Sequence, residues 1–301
     1  MMSLACATLI ALLQTQAPRQ PIKHDVVVDG YHLAVWQKKP AQAPRAIVLL
    51  VHGRTWSSLP NFDLQVPGER RSFMDALNDG GLDVYAVDLR GYGATPRDPG
   101  GFLSPDRAVA DVQGVIAWIQ QRSTGPSHPP VYLFGLSRGA MIAAMAAQQK
   151  PETLAGVILL GFGFDPDVAI MKTVPPAAPA RTPNTADAAA SDFITRESYT
   201  GATLTAFVKA ALKADPILVD WRDEHQFNGF RPSQLVVPVL LVHGDHDPQA
   251  PLAISTKLFT RFGTGDKAWV MIPGADHAVH LEKSQVELVR VILWFIRRHE
   301  V

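Results

Sequence analysis

The chain has 301 residues, enough for one large α/β domain or two domains of average size. Apolar residues make up 47% of it and charged residues 19%, which favours a sizeable core and argues against disorder. Lysine plus arginine and aspartate plus glutamate balance at 28 each, and this argues against a general affinity for nucleic acid or anionic membranes. Because Cys6 is the one cysteine, an internal disulfide or a thiolate metal cluster is excluded.

The first residues form an apolar run, Leu4 to Leu13, which is too short to span a bilayer. Thr15 and Ala17 follow with the small-x-small spacing that suits signal-peptidase cleavage. We therefore expect residues 1–17 to be a signal peptide and the protein to be secreted or periplasmic, although no lysine or arginine precedes the run. The alternative is an apolar extension that packs on a cytoplasmic domain.

Strand and helix patterns alternate along the rest of the chain. After a polar linker at 18–24, strands are predicted at 26–28, 31–36, 46–51, 82–87, 131–135, 155–160, 236–242 and 267–272, the first two as a hairpin. Helices are predicted at 69–79, 104–122, after Gly139, at 252–262 and from about 284 to Arg298, with loops at 38–45 and 55–67. This alternation predicts a mostly parallel, doubly wound α/β sheet.

The alternation breaks after Gly161. Residues 164–235 contain several prolines, an Ala-rich stretch and two helical patterns, near 202–214 and 215–226. We interpret them as a cap inserted into a core made of residues 18–163 and 236–301. Aromatic side chains in and near the cap are candidates for the substrate pocket, with Trp56, Phe164 and Trp221 as the selected residues.

The sequence Gly135-Leu136-Ser137-Arg138-Gly139 lies between a strand pattern and a small-residue helical pattern. Gly-x-Ser-x-Gly in that context is typical of a sharp turn that exposes a strained nucleophilic serine. Glycine at 135 and 139 allows the strand and helix backbones to approach closely. The helix N-terminus points N–H groups at the serine, so the backbone N–H of Arg138 is a candidate oxyanion donor.

A second oxyanion donor is predicted after the strand at 46–51. His52-Gly53 ends this strand, and the glycine allows the following loop to fold beneath the nucleophile. The backbone N–H of Arg54 is then the candidate. The turn Asp88-Leu89-Arg90-Gly91 follows the next strand, where Asp88 and Arg90 are expected to hold the loop by local hydrogen bonds.

A serine nucleophile needs a base, and the base needs an acid to fix its tautomer. His277, a few residues past the last strand, is the predicted base, with His280 as its rival. Asp247, after the penultimate strand, is the predicted acid, with Asp245 and Asp165 as rivals. These candidates follow strands whose carboxyl ends share one edge of the sheet.

Four neighbouring side chains raise the question of a metal site: His243, Asp245, His246 and Asp247. Alternation along an extended chain points neighbours in opposite directions, whereas a metal needs convergent ligands. We therefore predict neither a metal nor a cofactor.

With these motifs the chain resembles the α/β-hydrolase superfamily from about residue 26 to 298, most closely its serine aminopeptidase-like and monoacylglycerol-lipase-like branch. The resemblance implies acyl transfer to water through an acyl-serine, with Ser137 as nucleophile, Asp247 as acid, His277 as base, and the N–H groups of Arg54 and Arg138 as oxyanion donors. Asp276 departs from the glycine that often precedes the histidine; it either raises the basicity of His277 or faces water.

We therefore expect a serine hydrolase of small or medium carboxylic esters, a small-molecule substrate and no stable membrane insertion. An aminopeptidase or amidase on the same residues is the alternative, for which the cap offers Asp192, Glu197, Asp223 and Glu224 as acids. An acyltransferase to an alcohol acceptor is a further alternative. A dehalogenase or epoxide hydrolase is disfavoured because those relatives have an aspartate in place of Ser137.

Overall fold

A computed structural model describes residues 19–123, 129–174 and 176–299, so the expected signal peptide lies outside the described residues. Its main feature is an eight-stranded sheet. The strands are β1 (Ile22–Val28), β2 (Tyr31–Lys38), β3 (Ala46–Val51), β4 (Leu82–Val87), β6 (Val131–Leu136), β7 (Gly156–Leu160), β9 (Val239–Gly244) and β10 (Lys267–Ile272), in the spatial order β1-β2-β4-β3-β6-β7-β9-β10. In this spatial order, each pair of neighbours from β4 onwards is parallel. The hairpin of β1 and β2 is antiparallel, and so is the pairing of β2 with β4. The predicted doubly wound α/β sheet is confirmed.

Helices cover both faces of this sheet, because its central strands are apolar on both sides and are buried throughout. The helices are α1 (Ser58–Phe62), α2 (Phe73–Asp79), α3 (Pro105–Arg122), α4 (Arg138–Gln149), α5 (Ala186–Ala190), α6 (Gly201–Ala214), α7 (Leu252–Arg261) and α8 (Gln285–Arg297). One apolar cluster joins the sheet to α3 and α4, and another joins its opposite face to α2 and α8.

The inserted segment, residues 164–235, connects the neighbouring strands β7 and β9. It contains α5, α6, the short strand β8 (Asp220–Trp221) and a 3-10 helix at Glu224–Gly229. Strand β8 pairs in parallel with β5 (Phe102–Leu103), which belongs to the loop between β4 and α3. A third apolar cluster packs α5 and α6 against the loops that follow β3 and β10.

Two expectations, one in the inserted segment and one at β1, are wrong. Residues 215–226 are not a helix: α6 ends at Ala214, and Pro216 disfavours helical geometry at Asp215, which has φ −127° and ψ 68°. Strand β1 begins at Ile22, inside the expected linker, because backbone pairing with β2 rather than burial holds this edge strand.

The region between β3 and β4 also differs from the prediction. The expected loop at 55–67 contains α1, and α2 begins at Phe73 rather than at 69, where the Ser72 side chain accepts a hydrogen bond from the N–H of Asp75. The other predicted strands and helices are confirmed to within a few residues.

Candidate active site

Ser137 lies in the turn between β6 and α4, with φ 55° and ψ −117°. Few residues other than glycine adopt such a backbone conformation, and it stores strain that the surroundings must hold. The N–H of Ser137 donates to the carbonyl of Leu160 at the end of β7, at 2.8 Å. Its own carbonyl accepts from the N–H of Ala140 in the first turn of α4, at 2.9 Å. The serine is therefore held from a neighbouring strand and from the helix that follows it.

The two motif glycines are required by close backbone contacts. A Cβ at residue 135 would lie 2.3 Å from the carbonyl oxygen of Gly139. A Cβ at residue 139 would lie 2.3 Å from the carbonyl oxygen of Val51, at the end of β3. This confirms the predicted close approach of strand and helix, and it explains how β3 and β6 bring their ends to the same place.

The predicted base and acid are in contact. His277 Nδ1 lies 2.9 Å from Asp247 Oδ2, and both side chains are buried. The other oxygen, Oδ1, accepts a hydrogen bond from the N–H of Gln249 at 2.8 Å, which fixes the carboxylate. A carboxylate on Nδ1 keeps the proton there and leaves Nε2 as the basic nitrogen of the ring.

Gly161 brings this pair next to the serine. It directly follows Leu160, which accepts the Ser137 N–H, and its φ is +61°. A Cβ at this position would lie 2.7 Å from His277 Cε1 and 3.2 Å from Asp247 Oδ2. Strands β6, β7, β9 and β10 thus end around one point. Sequence reasoning used Gly161 only to mark the end of a strand, although a glycine directly after a buried strand was a signal for close contact.

The rival acids have other partners. Both oxygens of Asp165 lie within 3.0 Å of Lys257 Nζ, and the hydrogen bond from the N–H of Asp167 helps to lower the pKa of this half-buried carboxyl. Asp245 lies 3.9 Å from His246 Nε2 at the surface. Of the three candidates, Asp247 is therefore the one that the structure brings to His277.

The rival base is a buried structural histidine. His280 Nε2 lies 3.3 Å from Asn61 Oδ1, and the ring packs between Phe62 and Phe73. Complete burial lowers the pKa of His280 to about 3, and the nearby His277 acts in the same direction. The ring is neutral at ordinary pH and packs in the core.

The side chains considered as a metal site do not converge on one point. His243 Nε2 accepts from Trp269 Nε1 at 2.9 Å, so its Nδ1 carries the proton and donates to the carbonyl of Gly244 at 3.0 Å. Within the ranges that the structure describes, no three histidine, cysteine, aspartate or glutamate side chains converge to hold a metal ion.

The loop after β3 is oriented toward the serine. A Cβ at Gly53 would lie 3.5 Å from Ser137 Cβ, so this loop passes directly against the nucleophile. His52 Nε2 accepts from the N–H of Leu89 at 3.2 Å, so its Nδ1 carries the proton and donates to the Gly53 carbonyl at 2.8 Å. That carbonyl belongs to the same peptide group as the N–H of Arg54. His52 therefore orients the predicted oxyanion donor.

The second predicted donor begins a helix. Arg138 is the first residue of α4, so its N–H has no acceptor within the helix, and the positive end of the helix dipole lies there. Both donors thus come from backbone that neighbouring groups hold in place, which is the requirement for stabilising a developing oxyanion.

Asp88 and Arg90 hold the adjacent loop, as predicted. Asp88 accepts from Trp36 Nε1 and from the N–H groups of Ser58 and Ala94, at 2.9 to 3.0 Å. Arg90 donates two hydrogen bonds to Asp111, at 2.7 and 2.8 Å.

Asp276 does not face water. It is fully buried, and its Oδ2 accepts from the N–H groups of Ile194 and Thr195 in the inserted segment, at 2.9 and 2.5 Å. Glu282 accepts from the N–H of Asp276 at 3.2 Å and from Ser198 Oγ at 2.7 Å. Burial, followed by the contact with Asp276, raises the pKa of Glu282 to about 8, so Glu282 holds a proton near neutral pH.

The predicted pocket aromatics lie in different places. Trp56 is buried against Phe207 of α6, and Trp221 donates from Nε1 to Tyr92 Oη at 2.9 Å. Phe164 packs with Phe162 and Phe230 and lines a cavity of about 610 Å³, in whose walls Ser137, Asp247 and His277 do not take part. Their part in substrate binding stays a prediction.

Among the acids predicted in the inserted segment, two lie near the site. Burial raises the pKa of Asp192 to about 6, and the charge of His277 opposes this shift, which indicates that the two side chains are close. Glu224 contacts the side chain of Arg138, with Oε2 3.0 Å from Nη1. Sequence reasoning placed Glu224 on a helix and gave it no specific contact.

Comparison with known proteins identifies the family. The family model described as serine aminopeptidase S33 matches residues 42–284, so the chain belongs to this family of α/β-hydrolases. A monoacylglycerol lipase of Mycolicibacterium smegmatis is 27% identical over 87% of this chain and 91% of its own length. A human monoglyceride lipase is 28% identical over 48% of this chain and 43% of its own length.

A solved structure supports the fold. The monoacylglycerol lipase of Paleococcus ferrophilus superposes with a TM-score of 0.59 at 21% identity, over 87% of this chain and 98% of its own. None of the helices in the described ranges is long and apolar enough to cross a membrane.

Proposed function

We propose that this protein hydrolyses the ester bond of monoacylglycerols, or of carboxylic esters of similar size, through an acyl-Ser137 intermediate. The observation that carries the proposal is the 2.9 Å contact of His277 Nδ1 with Asp247, against Gly161, whose neighbour Leu160 accepts the N–H of Ser137 in its strained turn. The Mycolicibacterium relative, a monoacylglycerol lipase that aligns over most of both chains, supports the substrate class.

The reaction follows from these positions. His277 Nε2 accepts the proton of Ser137 Oγ as the oxygen attacks the ester carbonyl carbon. The negative charge that forms on the carbonyl oxygen is received by the N–H groups of Arg54 and Arg138. His277 then gives the proton to the departing alcohol. A water molecule then gives a proton to His277 and attacks the acyl carbon. His277 returns this proton to Ser137 Oγ as the fatty acid leaves.

The inserted segment serves as the cap of this site in the same proposal. Support comes from its contacts, because Trp221 and Glu224 lie beside Arg138 and Asp192 lies near His277. The proposal also retains export guided by residues 1–17, for which N-terminal sequencing of protein recovered outside the cytoplasm is the test.

An aminopeptidase is the second candidate, because the half-buried carboxyl of Asp192 near His277 is suited to bind a substrate ammonium group. Ester hydrolysis is preferred since an alcohol is a better leaving group than an amine and needs less from the site.

The deciding experiment gives the purified protein a chain-length series of monoacylglycerols and p-nitrophenyl esters, and in parallel a panel of amino-acid p-nitroanilides. Ester turnover that stops when a fluorophosphonate forms one adduct on Ser137 supports the proposal. Anilide turnover without ester turnover would establish the aminopeptidase instead. A protein that forms no adduct would contradict the acyl-serine mechanism.

A further inference from the structure

Glu224 of the inserted segment lies between the side chains of the two predicted oxyanion donors. Its Oε2 is 3.0 Å from Arg138 Nη1, and its Oε1 is 4.0 Å from Arg54 Nη2. Arg138 is the more buried of the two, with 13% of its side chain exposed against 50% for Arg54. One carboxylate thus contacts two guanidinium groups, one from the loop after β3 and one from the first residue of α4.

Aromatic residues complete the same cluster. The guanidinium of Arg138 lies over the ring of Trp221, at 4.9 Å from its centroid. Trp221 Nε1 donates to Tyr92 Oη, and the Tyr92 hydroxyl donates to the carbonyl of Arg54. The stretch from Trp221 to Glu224 therefore holds Arg54 both by its side chain and, through Tyr92, by its backbone.

The two guanidinium groups repel each other. Burial lowers the pKa of Arg138; Glu224 opposes that shift and the positive charge of Arg54 adds to it. Without the carboxylate, the largely buried guanidinium of Arg138 faces the half-exposed one of Arg54 with no counter-charge between them, which costs free energy unless the side chains move apart. Such a movement pulls on the backbone at residues 54 and 138.

We propose that Glu224 is a positioning residue for the oxyanion hole, acting from the inserted segment through the side chains of Arg54 and Arg138. The inference rests on the proposed function, because it takes the N–H groups of these two arginines as the oxyanion donors. It makes a cap residue part of the control of the chemical step, in addition to any role of the cap in shaping the pocket.

The sign of the effect separates positioning from a simple charge effect. A negative charge near the site disfavours an oxyanion, so removing it without any displacement would speed the reaction. If Glu224 positions the donors, its removal slows the reaction instead. The variant Glu224→Gln keeps the size of the side chain and removes the charge. We expect it to lower kcat about tenfold with little change in KM, a smaller loss than deleting a whole oxyanion donor.

The measurement uses the full chain, with kcat and KM for a p-nitrophenyl ester and the second-order rate of Ser137 labelling by a fluorophosphonate. Labelling should slow in proportion to kcat, because the phosphoryl oxygen occupies the same oxyanion hole. Glu224→Asp should recover part of the rate. The matched control is Asp223→Asn, which removes the neighbouring negative charge from a residue paired with Arg222 and should leave both rates within about twofold of wild type.

A double-mutant cycle tests the route through Arg54. In an Arg54→Ala background the repulsion is gone, so adding Glu224→Gln should reduce kcat by less than it does in the wild type. An unchanged or raised kcat in Glu224→Gln, or effects that simply multiply in the cycle, would overturn the inference.

Failure of the proposed function gives a different result. A wild-type protein that is labelled but turns over no ester contradicts the substrate assignment, while the labelling rates of the variants still decide the role of Glu224. A wild-type protein that is not labelled contradicts both.

Discussion

The central sheet and the inserted segment are held by different forces. The site strands β6, β7 and β9 are buried along their whole length in apolar contact. The inserted segment adds to its own apolar cluster a set of hydrogen bonds to buried carboxylates: Asp276 and Glu282 of the core accept from residues 194–198, and Asp215 of the segment accepts from Ser57 and Gly93. Apolar burial does not depend on proton concentration, whereas carboxylate contacts do. The sheet that carries Ser137 is therefore held by contacts that do not titrate, whereas the inserted segment is attached in part by groups that do.

The strongest test of the sheet side is Ser137→Ala. We expect ester turnover to fall by at least about 10⁴-fold with the melting temperature nearly unchanged, because the nucleophile is lost and the turn backbone is kept. Steady-state kinetics and thermal unfolding measure the two effects. A variant that retains activity would contradict the whole mechanism.

The two histidines near the end of the chain should separate chemistry from packing. His277→Ala is expected to lose about as much activity as Ser137→Ala, since the two residues act as one unit. His280→Ala removes a buried ring between Phe62 and Phe73, so it should lower stability by about 2–4 kcal/mol while folded protein keeps most of its activity. Activity per folded molecule, with the folded fraction measured by circular dichroism, distinguishes them. The reverse result would exchange their roles.

Asp247→Asn should lower kcat by about 10⁴-fold, as expected when the histidine tautomer is no longer held. Asp165→Asn is the matched control, because Asp165 follows β7 as Asp247 follows β9 but pairs with Lys257 instead of His277. Greater damage from the control would place the acid after β7 instead of β9.

Gly161→Ala tests how closely the sheet packs around His277. Its φ of +61° and a Cβ position 2.7 Å from His277 Cε1 predict displacement of the ring and a loss of about 10- to 100-fold in kcat. Gly68→Ala is the control: its φ is +79°, but nothing lies within 4 Å of an added Cβ, so it bears the backbone strain without the contact. Equal losses in the two variants would show that backbone strain alone matters.

The sequence predicted the sheet side of this comparison better than the inserted side. Ser137, Asp247 and His277 each come after a strand, and parallel strands end at one edge, so local patterns were sufficient to select them. Gly161 was missed because its function is the absence of a side chain, and its neighbour His277 is distant in sequence. A glycine directly after a buried strand indicates a close contact, but the local pattern does not indicate which distant residue makes it.

The contacts of the inserted segment depend on tertiary structure alone. The predicted helix at 215–226 placed Trp221 and Glu224 on a regular surface, whereas pairing of β8 with β5 and a 3-10 helix direct them to Arg138. The sequence does not distinguish the roles of Asp276, because a carboxylate next to a histidine gives the same pattern whether it faces water or accepts from the N–H groups of residues 194 and 195. Pairing between distant segments decides these positions, and propensity does not.

The smallest expected effect tests the pH dependence of the hydrogen bonds that attach the inserted segment to the core. The pKa of Glu282 is raised to about 8 from an ordinary 4.5, so the folded protein holds a proton that the unfolded chain releases between these values. Stability from this group is therefore fully present below about pH 4.5 and is lost as the pH rises toward 8. Burial also raises the pKa of Asp215 and of Asp192 to about 6, so the window from pH 6.5 to 8.5 reports mainly Glu282.

Glu282→Gln removes the titrating charge. Its oxygen can still accept from Ser198, whereas the hydrogen bond from the N–H of Asp276 loses its acceptor, an effect that does not depend on pH. We therefore expect the melting temperature of the variant to rise by about 2–4 °C relative to that of the wild type between pH 5 and pH 8.5, which corresponds to about 1 kcal/mol. Glu287→Gln on α8, an exposed acid paired with Arg290, is the control and should follow the wild type at every pH.

Hydrogen exchange locates the effect. The amides of residues 194 and 195 should lose protection in the wild type as the pH rises, after correction for intrinsic exchange, while those of β6 should not. Parallel dependence of the two melting temperatures on pH would contradict a raised pKa of Glu282. Equal loss of protection in β6 would mean that the sheet and the inserted segment open together.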